Sequence, residues 1–260
     1  MVSITTYNIR LDTDDDHPWQ WAARKPYVLA NLQRLDPDIF TVEEAEPHQL
    51  ADLRTLTAYR GFGVPRENTV DQGEAAAIFI KKTKFDALAE GHAWVSKTPD
   101  KPSIYPGAWT YRMFQWAKLR DKTDDTIFYL VTVHLDHVSV AARNFGVQQI
   151  LATFAQERAD YPFIVTGDFN MTPTDEAYRT MTATLQDAAL TAAQRPEPTP
   201  GTWQDSEPPT FLPGQTATRL DYFFVNDRVQ VQSYAVDTTL APTGQYASDH
   251  FPVTVTVMAR

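Results

Sequence analysis

Phe163-Ile164-Val165-Thr166, followed by Gly167-Asp168-Phe169-Asn170, is the stretch on which the reading of the fold turns. A short, continuous apolar run rich in β-branched residues reads as a strand buried on both faces. Asp168 and Asn170 follow it directly. Alternate residues of a strand point the same way, so these two can address one cavity.

Outward from this strand, extended and helical patterns alternate. Val2 to Asn8 alternates and predicts a strand, and Val28, Leu32 and Leu35 recur at helical spacing until Asp36-Pro37 stops them. Ile39 to Val42 predicts a second strand, and Pro47 opens a helix carrying Leu50, Leu53 and Leu56. Ala76–Ile80, Phe114–Leu119 and Ile127–Val133 predict further strands. Ser139 caps a helix whose apolar stripe is Val147, Ile150, Leu151 and Phe154. Leu220–Val225, Val229–Val236 and Pro252–Val257 complete the strands. Pro196, Pro198, Pro200, Pro208, Pro209 and Pro213 make the segment from Arg195 to Gly214 a long loop. Many strands with few helices between them imply two packed sheets covered by helices, which leaves α/β and α+β both open.

The bulk numbers narrow the function. With 260 residues, no linker of low complexity and no repeat, residues 1–260 read as a single domain. The absence of cysteine excludes disulfides, thiolate nucleophiles and cysteine-bound zinc. A net charge of -10 and no basic stripe argue against tight duplex DNA binding, which counterion release at a basic face drives. Lys81, Lys82 and Lys84 come nearest to such a stripe and read as a solvated strand end. No window is apolar for the length of a membrane span and no leader pattern opens the chain, so the expectation is a cytoplasmic monomer.

Polar residues gather where the strands end. Asn8 closes the first, Glu43 and Glu44 the second, His134 and Asp136 a middle one, and Asp249-His250 precede the last. Strand ends along one sheet edge are where open α/β folds build their sites. Glu43 and Glu44 are adjacent and should point to opposite sides, so at most one faces such a site.

Six segments in this order resemble the endonuclease/exonuclease/phosphatase superfamily. They are Thr6-Tyr7-Asn8-Ile9-Arg10, Val42-Glu43-Glu44-Ala45, Thr132-Val133-His134-Leu135-Asp136-His137, Gly167-Asp168-Phe169-Asn170, Arg219-Leu220-Asp221-Tyr222 and Ser248-Asp249-His250-Phe251-Pro252. The resemblance implies a four-layer α/β/β/α sandwich of the DNase I-like kind, with two mixed sheets flanked by helices. It implies Mg2+, with Mn2+ as a substitute, held by Glu44 and Asn8 with Asp249 nearby. It implies that Asp168 activates a water, that Asn170 helps hold it, and that His134 and an Asp221–His250 pair stabilise the transition state of phosphate-ester hydrolysis. Arg112, four residues before Trp116, is the candidate phosphate-gripping cation, and Trp203 a rim residue that contacts substrate. The expected substrate is a small phosphorylated molecule, a short nucleic acid or a lipid headgroup.

Two positions depart from the family pattern. Glu43 stands where the family usually has Gln, and its charge is expected to tighten metal binding or to pair with Arg10. Thr132 stands where the family often has Asn. The run Asp12, Asp14, Asp15 and Asp16 reads as a solvated loop rather than a second metal site. Trp94, Trp109 and Trp116 read as core. Two alternatives remain: a catalytically silent binding module on the same fold, and a zinc hydrolase suggested by His134-x-Asp136-His137, although Thr132 occupies the position where that pattern needs a further histidine.

Overall fold

A computed structural model of the chain describes residues 1–204, 211–214 and 217–260. In the first part of the chain, β1 (Val2–Asn8), α1 (Trp21–Leu35), β2 (Ile39–Ala45), α2 (Pro47–Leu53), β3 (Tyr59–Phe62) and β4 (Ala75–Lys81) follow one another. The middle holds β5 (Phe85–Trp94), β6 (Met113–Asp121), β7 (Ile127–His134), α3 (Val140–Thr153), α4 (Ala155–Asp160) and β8 (Phe163–Asp168). The rest comprises α5 (Glu176–Thr182), β9 (Gln186–Asp187), α6 (Ala188–Thr191), β10 (Trp203–Gln204), β11 (Ala217–Thr218), β12 (Asp221–Val225), β13 (Val229–Val236) and β14 (Val253–Ala259).

Two mixed sheets result, in the orders β13-β14-β1-β2-β4-β3 and β5-β6-β7-β8-β12-β9, with β10 and β11 as a separate ribbon. β1 and β2 pair in parallel, as do β7 and β8, each through a connection that carries a helix. The inner faces meet in one core that includes Ile4, Ile39, Ile78, Leu119, Leu130, Ile164, Phe223 and Val255. A second core lies under α3 and α5, where Val147, Ile150 and Met181 cover Val131, Val133 and Val165. A third lies under α1 and α2, where Val28, Leu32 and Leu50 cover Phe40, Val42 and Phe79. The order is therefore helix, sheet, sheet, helix: the DNase I-like four-layer sandwich. The run at Phe163–Thr166 is fully buried because its alternate residues serve different cores, Ile164 the inner and Phe163 and Val165 the outer.

Local signals act as the residues suggest. Asp36 ends α1 in the left-handed region at φ 43°, and Ser139 caps α3 by accepting from the Ala142 amide at 3.2 Å. The structure adds β3 and β5, which the sequence pattern did not announce. Both are edge strands, and β5 holds Ala87, Ala89, Glu90 and Gly91, residues poor in strand propensity; pairing with β6 decides its conformation. The proline-rich loop falls partly at 205–210, outside the described residues. Among the described residues no helix is long and apolar enough to cross a membrane.

Candidate active site

The register brings the polar strand ends together. Asn8 lies beside Glu43 across β1 and β2, His134 beside Asp168 across β7 and β8, and Asp221 opposite Asp168 across β12 and β8. His250 stands three residues before β14, which pairs with β1. The first sheet thus supplies Asn8, Glu44 and His250, and the second His134, Asp168 and Asp221.

Glu44 reaches this edge through a bulge. The pairing of β2 with β4 slips between Val42 and Ala45, and Glu44 itself sits at φ 61°. Arg10 at φ 61° and Asn170 at φ 47° share this left-handed conformation. Such backbone costs about 1 kcal/mol or more per residue outside glycine and gathers where a side chain must be re-aimed. Glu43, freed from that edge, points between the sheets. It is fully buried and accepts from Thr132 Oγ1 at 2.7 Å and Thr6 Oγ1 at 3.1 Å. The expectation that Glu43 pairs with Arg10 is therefore corrected: Arg10 is bound by Asp16 at 3.0 Å and lies 3.5 Å from Asp249. Burial drives the Glu43 carboxyl up to about 8, so near neutrality it is largely protonated and offers a cation little charge.

Asp168 is the centre of the arrangement. Its Oδ1 accepts from the Asn170 amide at 2.9 Å and its Oδ2 from Asn8 Nδ2 at 3.0 Å. His134 Nε2 and His250 Nε2 lie 3.6 and 3.7 Å from that same Oδ2. Behind each imidazole stands another carboxylate. Asp221 Oδ2 is 2.8 Å from His250 Nδ1, and Glu74 Oε2 is 3.6 Å from His134 Nδ1. Asn8 Nδ2 also donates to Glu44 Oε1 at 2.9 Å, so one amide bridges the two carboxylates, while its Oδ1 accepts from the Arg10 amide. Asn170 Nδ2 donates to the Leu135 carbonyl at 3.1 Å.

The electrostatics follow from burial and neighbours. Burial raises Asp168 to about 7 against the opposing pull of His250. Burial opposes the charge on His250, but Asp221 and Asp168 overcome it and hold the imidazole well above its ordinary value. His134 goes the other way: burial, with Arg112 beside it, keeps it neutral. Burial and Glu74 push Glu44 up, yet the cations Arg10 and His250 help hold it below the usual carboxylate range. One cationic and one neutral imidazole therefore flank a carboxyl that titrates near neutrality.

Oxygen and nitrogen atoms of Glu44, His134 and Asp168 lie within 4.8 Å of one another, as do those of Asp168, Asp221 and His250. Either group, with two carboxylates and one imidazole, could hold a divalent cation of the Mg2+ kind; in the latter, Asp221 Oδ2 is already engaged by Thr202 and His250, which leaves the former the freer. Asp136 and His137 join neither group. Asp136 accepts from the Trp109, Val138 and Ser139 amides, and His137 Nδ1 meets Arg112 Nη2 at 2.9 Å. The run at Asp12–Asp16 forms no such group among the described residues. Asp14 and Asp15 are exposed, and Asp16 is buried against Arg10.

Arg112 is 5% exposed, and its Nε and Nη1 have no hydrogen-bond partner. With Arg66, Glu74 and His134 it lines a small cavity at the site's flank. Trp203 is half-buried, its Nε1 3.4 Å from Asp249 Oδ2 and its ring 6.4 Å from that of His250. Trp94 is buried and Trp116 packs on Phe154, but Trp109, expected in the core, is 71% exposed. Sequence reasoning missed Glu74 and Arg66, which form a two-armed ion pair at 2.8 and 2.6 Å from the irregular segment before β4, where no periodicity points to them. It also missed Thr202, fully buried beside Trp203, whose hydroxyl donates to Asp221 Oδ2 at 2.5 Å.

Comparison with known proteins accords with this geometry. The profile of the Endonuclease/Exonuclease/phosphatase family matches residues 5–250. A solved structure of a functionally unknown conserved protein from Enterococcus faecalis is 33% identical, covers 99% of this chain and 100% of its own, and superposes with a TM-score of 0.90. A mannosyl-6-phosphatase from Bacteroides thetaiotaomicron is 29% identical with a TM-score of 0.88, covering 99% of this chain and 100% of that one. Protein angel of Drosophila melanogaster is 24% identical over 184 residues, 68% of this chain, which spans about half (51%) of the length of that relative. The chain belongs to the endonuclease/exonuclease/phosphatase family and has its DNase I-like fold.

Proposed function

We propose that residues 1–260 act as one domain, and as a monomer, to hydrolyse the phosphate ester of a small phosphorylated metabolite with a divalent cation, Mg2+ or Mn2+. A hexose phosphate is the first candidate, since the mannosyl-6-phosphatase is similar along both whole chains. The observation that carries the reading is Asp168, with the Nε2 atoms of two imidazoles 3.6 and 3.7 Å from one of its oxygens.

Asp168 accepts the proton of the attacking water, a role for which a carboxyl near 7 is matched to neutral solution. The water's oxygen adds to phosphorus as the bond to the alcohol oxygen breaks in line, and the departing oxygen takes a proton from solvent to leave as the alcohol. His250, kept cationic by Asp221, meets the charge that grows on the phosphoryl group, and His134 donates from the other side. Thr202 fixes Asp221, and Asn8 fixes Asp168 relative to Glu44. Asn170 holds the water or a phosphoryl oxygen, and the free Nη1 of Arg112 grips another. Glu44, with Asp168 beside it and Asp249 behind Arg10, would hold the cation, which when bound supplies positive charge to the phosphoryl oxygens. Asn8, offered as a ligand by the resemblance, directs its amide nitrogen at the two carboxylates and so serves as their spacer.

The test is turnover of p-nitrophenyl phosphate, bis-p-nitrophenyl phosphate and hexose 6-phosphates with Mg2+ or Mn2+. Activity abolished by EDTA and by Asp168→Ala is expected. Full activity in Asp168→Ala would remove the mechanism, and no turnover of any ester with no Mg2+ binding would favour a silent module.

A further inference from the structure

Trp109 is a large aromatic side chain held out in water by a backbone that is not free to move. Its amide donates to Asp136 Oδ2 at 2.9 Å, and four residues earlier the Tyr105 ring packs on Phe145 of α3 at 4.5 Å. Three residues later Arg112 is buried. The indole nevertheless stays 71% exposed, edge-on to His137, with centroids 6.2 Å apart and planes at 74°. An indole left in water forgoes about 2 kcal/mol or more of burial, which contact with a ligand would recover.

The same residues tie this ring to the cation proposed to grip phosphate. Arg112 Nη2 meets His137 Nδ1 at 2.9 Å, Arg112 Nε lies 3.8 Å from Asp136 Oδ2, and that oxygen also holds the Trp109 amide. Arg112 Nη1 and Nε lack hydrogen-bond partners and are buried next to His134. Trp109 and Arg112 thus share Asp136 Oδ2 and both meet His137, which puts the exposed ring beside the residues that hold the cation.

We infer that Trp109, edged by His137, is the platform for the alcohol half of the substrate, and that it takes the pyranose ring of a sugar phosphate. This rests on the phosphoesterase reading and adds the leaving-group subsite to it. The polarised C–H face of a pyranose lies flat on the negative face of an indole. In a hexose 6-phosphate that ring is one carbon from the ester oxygen, a short link suited to two side chains that share one carboxylate oxygen, as Trp109 and Arg112 share Asp136 Oδ2. The base of a nucleotide lies a whole ribose farther on.

The experiment compares kcat/KM for a hexose 6-phosphate with that for glycerol 3-phosphate, which has no ring, in the wild type, Trp109→Ala and Trp109→Phe. The ratio is expected to fall about tenfold or more in Trp109→Ala, through KM rather than kcat, and to recover in Trp109→Phe. An unchanged ratio, with both esters losing equally or neither losing, overturns the platform while leaving the phosphoesterase intact. A loss confined to nucleoside monophosphates overturns the sugar assignment. Failure of the wild type to cleave any ester overturns the enzymatic reading, and this subsite with it.

Discussion

Thr132 Oγ1 donates to Glu43 Oε1 across 2.7 Å of the gap between the two sheets. These are the two positions at which the chain leaves the family pattern, and they meet each other. Where the family usually has a Gln and often an Asn, this chain joins an acid to a hydroxyl, with Thr41 and Thr6 extending the chain of hydroxyls at 2.9 Å. The departures are coupled, and the edge that carries Glu44 and Asp168 is built above them.

Glu43 therefore gives stability its own pH dependence. Burial lifts its carboxyl from an ordinary 4.5 to about 8, so the folded chain binds that proton more tightly than the unfolded one. The contribution is complete below 4.5 and is lost as pH rises through 8. Glu43→Gln removes the dependence. Measured by urea denaturation, the variant should gain on the wild type between pH 5 and 9 by on the order of a few kcal/mol. A difference that does not vary with pH would mean that Glu43 is ionised throughout.

Asp168→Asn should separate activity from stability. Turnover is expected to fall roughly 10²–10⁴-fold, the range of a lost general base. Burial disfavours the Asp168 charge, so at pH 8 the thermal midpoint of the variant should equal or exceed that of the wild type. A loss of both would point to misfolding.

Asp221→Asn acts through His250. Without that carboxylate the imidazole loses its main opposing charge and deprotonates at lower pH. The alkaline limb of the pH–rate profile should move toward acid, with kcat down roughly 10²-fold. An unmoved limb would assign it to another group.

Glu44→Gln should raise the Mg2+ concentration needed for half-maximal rate by about tenfold or more, and weaken Mg2+ binding by calorimetry in parallel. EDTA should silence the wild type, and Mg2+ should restore it.

Gly167 is fixed by shape. Its φ is 124°, and a Cβ there would lie 2.1 Å from the Val133 carbonyl oxygen of the neighbouring strand. Gly167→Ala should destabilise the fold by about 2 kcal/mol or more, read as a lower denaturant midpoint.

Much of this was legible in the residues. The alternation from Val2 to Asn8 is β1, the run at Val229–Val236 is β13, and Phe163–Thr166 lies at the centre of its sheet, because burial patterns with period 2 are local properties. Polar residues at strand ends marked the edge where the candidate site is gathered. What stayed hidden depends on distant pairing. The bulge that turns Glu44 outward is a slip against β4, invisible within β2 itself. Glu74 reaches His134 from an aperiodic segment, and Trp109 stays in water because its segment is pinned to α3 and Asp136, a matter of tertiary position that its hydrophobicity misstates.

The split parentage of the cleft has a consequence of its own. Glu44 and His250 belong to one leaf of the sandwich and His134 and Asp168 to the other, so the proposed chemistry would depend on how tightly the leaves shut. Heat or pressure that parts them by an ångström would disarm the enzyme while every strand was still intact. Catalysis should fade ahead of the circular dichroism, making turnover a gauge of the seam.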